Sequence, residues 1–290
     1  MISVNNLTQI YKSGKGIFNV SFEVNEGEVF GYLGPNGAGK TTTIRNIMGF
    51  MNPSDGQASI NGLDCRENTN ELMQSIGYLP GEMNMFDAMT GHEFLKFMAD
   101  MRQLRDFTKR DDLIKRFELD ASGSIKKMSK GMKQKLGIIV AFMHDPEVLI
   151  LDEPTSGLDP LMQQVFMDLI LEEKRNGKTI LMSSHIFEEV QRLCDRVAVI
   201  KEGKIVTIQN VADLDDLNSK TFIINSDNPD KLLSFNESAH VVSENTIKLT
   251  VSYPYNEFYK LLSEIDVKNI RIEGVTIEAT FMKYYGKDSE

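Results

Sequence analysis

The sequence predicts an α/β fold with a mostly parallel sheet core, an inserted helical subdomain and a small α+β domain after it. Three observations carry this. Short apolar runs bounded by turn residues recur through the first 210 residues, a helix-only interval interrupts them, and the pattern changes after Val211.

The runs are EVFGYL (28–33), IGYL (76–79), EVLILDE (147–153), KTILMSSH (178–185) and RVAVIKEG (196–203). Strands this continuously apolar suit a parallel sheet covered by helices on both faces. Between Met83 and His144 strand signals vanish, and stretches such as GHEFLKFMADMRQL and RDDLIKRFEL read as helices. This places an inserted helical subdomain at 83–144 inside a first domain spanning 1–210. Beyond it, TFIIN, PDKLLSF, HVVS, TIKLTV, NEFYKLLSEI and KNIRIEG read as β-α-β-β-α-β, with TIEATFMKYYG as a final helix. That order predicts a ferredoxin-like accessory domain over 211–290.

GPNGAGKT, Gly34 to Thr41, follows the strand 28–33 and precedes a helix-like TTTIRNIMGF. It matches the phosphate-binding loop in pattern and context. Gly34, Asn36, Gly37, Ala38 and Gly39 let backbone N–H groups converge on phosphate oxygens, helped by the helix N-terminus. Lys40 is read as holding the β- and γ-phosphates, the Thr41 hydroxyl as a Mg²⁺ ligand, and Thr42 as reaching the α-phosphate. The run VLILDEP ends in Asp152 and Glu153, whose side chains alternate across a strand. Asp152 is expected on the Mg²⁺ side, through the metal's waters, and Glu153 as the general base.

At this point the chain resembles the nucleotide-binding subunits of ATP-binding cassette (ABC) transporters over roughly residues 1–210. SGLDP (156–160) stands where that family has its D-loop, and His185 where it has a γ-phosphate-sensing histidine. Tyr11 stands where an aromatic ring stacks on adenine. MSKGMKQ (128–134) stands where the family has its signature, usually LSGGQ. The resemblance implies a P-loop ABC ATPase that binds ATP and Mg²⁺. It also implies a head-to-tail homodimer, with Ser129 and Gly131 closing on the γ-phosphate held by the other chain. Ser129 would cap the helix whose N-terminus meets that anion.

Two positions depart from the family. Lys130 replaces a signature glycine and reads partly as a phosphate-side contact. Gly81 stands where the family places a Gln that reaches the metal shell, so Glu82 is expected to substitute. The Met-rich segment Gly81–Phe86 reads as a docking surface for an integral membrane transport subunit. Met89 is expected to pack inside the helical subdomain.

The chain carries a formal net charge of -10 over 290 residues, which argues against a nucleic-acid partner. It shows no signal peptide and no apolar run of the ~20 residues needed to span a bilayer. The expectation is a cytoplasmic protein, peripheral on the inner face of the cell membrane. The signature and the 76–82 segment look most like the exporter branch with separate membrane subunits. Cargo there includes drugs, lipid-linked molecules and peptides, phenol-soluble modulins among them. A soluble ABC ATPase without a transporter and a nucleotide-dependent regulator are the alternatives.

Overall fold

The computed structural model describes residues 1–83, 85–215, 219–252 and 254–273. The helix expected over 276–286 lies outside the described residues. The chain divides into two compact units, Met1–Gln209 and Asn210–Glu290.

The first unit opens with β1 (Ile2–Ile10) and β2 (Gly16–Val24), an antiparallel pair joined by a turn closed by Tyr11 N–H donating to Lys15 O. Next come β3 (Val29–Leu33), α1 (Lys40–Ile47), β4 (Asp55–Ile60) and β5 (Leu63–Asp64). β4 and β5 form a hairpin through Asn61–Gly62, both at positive φ, as a two-residue turn requires. The four-stranded antiparallel sheet is ordered β2-β1-β4-β5. In β2 the buried Val20, Phe22 and Val24 alternate with the exposed Ser21 and Glu23, so this sheet buries one face.

α2 (Thr69–Ser75) and β6 (Ile76–Leu79) lead into the helical insertion: α3 (Gly91–Met101), α4 (Thr108–Arg116) and α5 (Lys130–Phe142). α3 starts at a capping box in which Thr90 and Glu93 satisfy each other's backbone N–H. Among the described residues no strand lies between Leu79 and Val148, only a single bridge from Thr90 to Ser124.

The chain then returns through β7 (Val148–Asp152), α6 (Pro160–Arg175), β8 (Thr179–Ser184), α7 (Phe187–Leu193), β9 (Arg196–Lys201) and β10 (Lys204–Asn210). α6 is capped by Asp159 with Pro160 at its first position, where a missing N–H costs nothing. The central sheet is ordered β10-β9-β3-β8-β7-β6, and the pairs from β9 through β6 are parallel. Every residue of β3, β7 and β8 is buried. Register sets Leu33 beside Ser184 and Asp152 beside Ser183. The ends of β3, β7 and β8 therefore emerge together, where open parallel sheets bind their ligands.

The second unit runs α8 (Val211–Asp215), β11 (Ser219–Ser226), α9 (Pro229–Leu233), β12 (His240–Ser243), β13 (Thr246–Ser252), α10 (Asn256–Ser263) and β14 (Val267–Glu273). Its antiparallel sheet is ordered β12-β13-β11-β14, the strand order of a split β-α-β module. Phe222, Ile224, Leu232, Leu249 and Phe258 form its core.

Candidate functional site

The loop between β3 and α1 is shaped by what its glycines lack. A side chain at Gly34 would come within 2.5 Å of the Ile200 carbonyl. Gly37 and Gly39 hold φ of +81° and +113°, a region that L side chains rarely adopt. Gly39 is also the N-cap of α1 and offers it no side-chain acceptor, leaving first-turn N–H groups for a ligand. A cleft of about 230 Å³ faces this loop, lined by Tyr11, Lys15, Gly16, Asn36, Gly37, Gly39, Lys40, Thr41, Thr42 and Glu153. Tyr11 stands at its mouth, its hydroxyl 3.3 Å from Thr42 Oγ1. Ala38 is buried and closes the turn with its N–H on Pro35 O.

Lys40 is drawn inward. Its ammonium donates to Gly34 O at 2.6 Å and Pro35 O at 3.2 Å, and lies 3.0 Å from Glu153 Oε1. The other Glu153 oxygen accepts from His185 Nδ1 at 2.6 Å. One carboxylate thus bridges the loop lysine and the strand-end histidine. The strand alternation expected of Asp152 and Glu153 is not how they separate. β7 ends at Asp152, and Glu153 turns off the strand with φ +50°. Glu153 N–H donates to Ser183 Oγ, which itself donates to Asp152 Oδ1.

Asp152 is 0% exposed, and its Oδ2 has no hydrogen-bond partner among the described residues. A buried carboxylate oxygen left so is costly unless a cation or its water shell faces it. Asp152 thus fits the shell of an oxygen-liganded divalent cation such as Mg²⁺, and Thr41, which lines the cleft, offers a hydroxyl. A Cβ at Gly81 would sit 3.1 Å from that oxygen, so position 81 is the one that addresses it. Glu82 is exposed, and no described hydrogen bond or ion pair ties it to this cluster.

Ser129 and Gly131 do not line the cleft. Ser129 caps α5, accepting from Met132 N–H at 3.2 Å. A Cβ at Gly131 would approach Gly157 O to 2.7 Å. The Lys130 ammonium donates to Ser156 Oγ at 3.0 Å, and its alkyl stem covers Gly157. This departs from the reading of Lys130 as a phosphate contact: here its charge is directed to its own 156–160 loop. Gln134, buried, donates to Pro154 O at 2.7 Å and ties α5 to the same turn. Met83 also departs from a docking role. Its Sδ fills the space beside Gly137, whereas Phe86 is exposed against Phe94 and Phe97.

A larger groove of about 540 Å³ is lined by α4 and α6. Its cations are already paired, Lys109 with Asp145 and Glu173, and Arg116 with Glu172. The glycine-rich cleft is the better phosphate site because Asn36, Gly37 and Gly39 line it ahead of α1, whereas in the larger groove Asp106 already accepts the first amide of α4.

The ABC transporter family model matches residues 17–156. The linearmycin resistance ATP-binding protein LnrL of Bacillus subtilis is 31% identical over 99% of this chain and 99% of its own length. The chain belongs to the ABC transporter family, as an ATP-binding subunit. The bacitracin transport ATP-binding protein BcrA of Bacillus licheniformis is 38% identical, over 71% of this chain and 68% of its own. A solved ATP-binding subunit of an ABC transporter matches with a TM-score of 0.68 at 32% identity, covering 74% of this chain and 92% of that one. Among the described residues of this ABC subunit, no helix is long and apolar enough to cross a membrane.

Proposed function

We propose that this ABC subunit hydrolyses ATP as half of a head-to-tail homodimer and drives an exporter through a separate integral membrane subunit. One observation carries the reading. The phosphate cleft is lined by the β1–β2 turn, the glycine-rich loop with the start of α1, and Glu153, while the capped N-terminus of α5 lies outside it in the same chain. A second copy brings its Ser129 and Gly131 to the open side, and two equal sites form by symmetry.

Within each site the chain's groups divide the work. Backbone N–H groups of 36–41 and the Lys40 ammonium bind the β- and γ-phosphates, and Tyr11 stacks on the adenine. Thr41 and Asp152 would hold Mg²⁺, which would supply positive charge against the phosphate oxygens. Glu82, one residue from the position that faces Asp152 Oδ2, would join that shell by turning inward from its exposed place. Binding draws Lys40 from Glu153 to phosphate, and the freed carboxylate accepts the proton of the attacking water. His185, oriented through Nδ1 by Glu153, donates to the transferring phosphoryl group. Product release reopens the pair, and the Gly81–Phe86 segment passes that motion to a membrane subunit. The chain then acts peripherally, on the inner face of the cell membrane. The relatives named for linearmycin resistance and bacitracin transport support an exporter of drugs or peptides.

Sedimentation of the Glu153→Gln protein with and without ATP tests the pairing. ATP should convert monomer to dimer, and adding Ser129→Arg should abolish this while monomer affinity stays within about two-fold. Loss of monomer affinity in Ser129→Arg would mean that the α5 N-terminus does not act on the other chain.

A further inference from the structure

Glu189 lies in the first turn of α7, is 5% exposed, and belongs to none of the motifs read from the sequence. Each of its oxygens has its own donor. Thr155 Oγ1 donates to Oε1 at 2.5 Å, and Ser184 Oγ donates to Oε2 at 2.7 Å. Ser184 Oγ in turn accepts from Ile186 N–H at 2.9 Å. Thr155 is two residues past Glu153, whereas Ser184 and Ile186 flank His185. The turn that holds Thr155 is closed by Ser156 N–H on Glu153 O and Leu158 N–H on Thr155 O. One buried carboxylate therefore joins the loop that presents Glu153 to the loop that presents His185.

We propose that Glu189 is a positioning residue for ATP hydrolysis, fixing the two loops so that Glu153 and His185 meet at the same carboxylate edge. This rests on the reading of Glu153 and His185 as the hydrolytic pair. A carboxylate is required because both of its partners are hydroxyls that arrive as donors. An ionised carboxylate only accepts, so it serves both and leaves Ser184 Oγ its lone pair for the Ile186 amide. An amide at 189 turns an NH₂ group toward one hydroxyl and reverses that bond. The shape of α7 is kept, because its core contacts come from Val190 and Leu193. Both loops are bound to Glu189, so their relative displacement moves the general base against the histidine. A shift on the order of 1 Å at reacting groups costs roughly a hundred-fold in rate.

The test is steady-state ATPase kinetics with parallel nucleotide binding on the full chain. Glu189→Gln should lower kcat by roughly 10- to 100-fold, with the KM for ATP and monomer binding within about two-fold of wild type. Thr155→Val should reproduce that loss and Thr155→Ser should restore most of it. The double variant Thr155→Val with Glu189→Gln should be no worse than either single one, because both cut the same connection. Unchanged kcat in Glu189→Gln, nucleotide binding lost in step with kcat, or multiplying losses in the double variant would overturn the proposal. If Glu189→Gln does not fold, the Thr155 pair decides alone. Glu153→Gln is measured alongside: wild-type turnover there defeats the hydrolytic pair itself, whereas lost turnover there with normal turnover in Glu189→Gln defeats only the role of Glu189.

Discussion

Replacing Glu153 with Gln should do two opposite things: tighten ATP binding to the isolated chain and nearly stop its turnover. The first effect comes from the resting ion pair. Glu153 Oε1 lies 3.0 Å from Lys40 Nζ, and the two side chains are 18% and 5% exposed. At an effective dielectric of ~20, that separation corresponds to about 5 kcal/mol of attraction before desolvation is counted. Desolvation takes back most of it, leaving about 1–2 kcal/mol that an incoming phosphate must overcome to capture the ammonium. Glutamine keeps the volume and removes the charge, so ATP should bind roughly 5- to 30-fold more tightly. The second effect is loss of the proton acceptor, expected to slow turnover by about 10²–10⁴-fold. Fluorescent-nucleotide titration in EDTA at low protein concentration reads the monomer affinity, and phosphate release with Mg²⁺ reads turnover. Unchanged or weaker binding would show that the Lys40–Glu153 pair does not oppose ATP entry. Wild-type phosphate release would remove Glu153 as the base.

A second site responds to pH. His144 packs against the Arg102 guanidinium, and burial together with that charge pushes it down from 6.5 to about 4. The folded chain keeps this ring neutral, whereas the unfolded chain protonates it below 6.5, so stability is lost as pH falls from 6.5 toward 4. With a discount for its partial exposure the loss between pH 7.5 and 5 is about 1 kcal/mol, and His144→Asn should lack it when urea midpoints at those two pH values are compared. Gly131→Ala should cost about 1–3 kcal/mol in urea unfolding, since its methyl meets a backbone carbonyl that cannot rotate away. A wild-type midpoint in Gly131→Ala would show that the contact with Gly157 is not tight.

What the sequence disclosed was local in sequence or uniform in burial. β3, β7 and β8 stand out because every residue is buried, and the loop 34–41 because its glycines, lysine and threonine fall within one short stretch of sequence. The antiparallel sheet of β1, β2, β4 and β5 passed unread. β2 buries alternate residues, so a search for continuous apolar runs crosses it without a signal. The positive φ of Glu153 was hidden too, since a strand reading continues the alternation through it. Gln134, Thr155 and Glu189 were missed for a different reason. Gln134 meets Pro154, and Thr155 meets Glu189, across long stretches of chain. Glu189 reads locally as one more acid on a polar helix, FEEVQRL, and only the fold buries it. Gln134 did leave a trace, as a polar residue on the apolar side of α5.

The contacts that fasten the start of α5 to residues 154–157 bear on timing. Lys130 grips Ser156, Gly131 rests on Gly157, and Gln134 holds Pro154, so the segment facing outward and the turn beside Glu153 move together. In a head-to-tail pair the outward segment touches the neighbour's nucleotide while the turn belongs to the chain's own. Each chain of the proposed pair would then sense the state of one nucleotide at the place where it processes the other. Two sites so joined should fire in concert if the proposed pair forms, with a rate that rises more steeply than linearly with ATP.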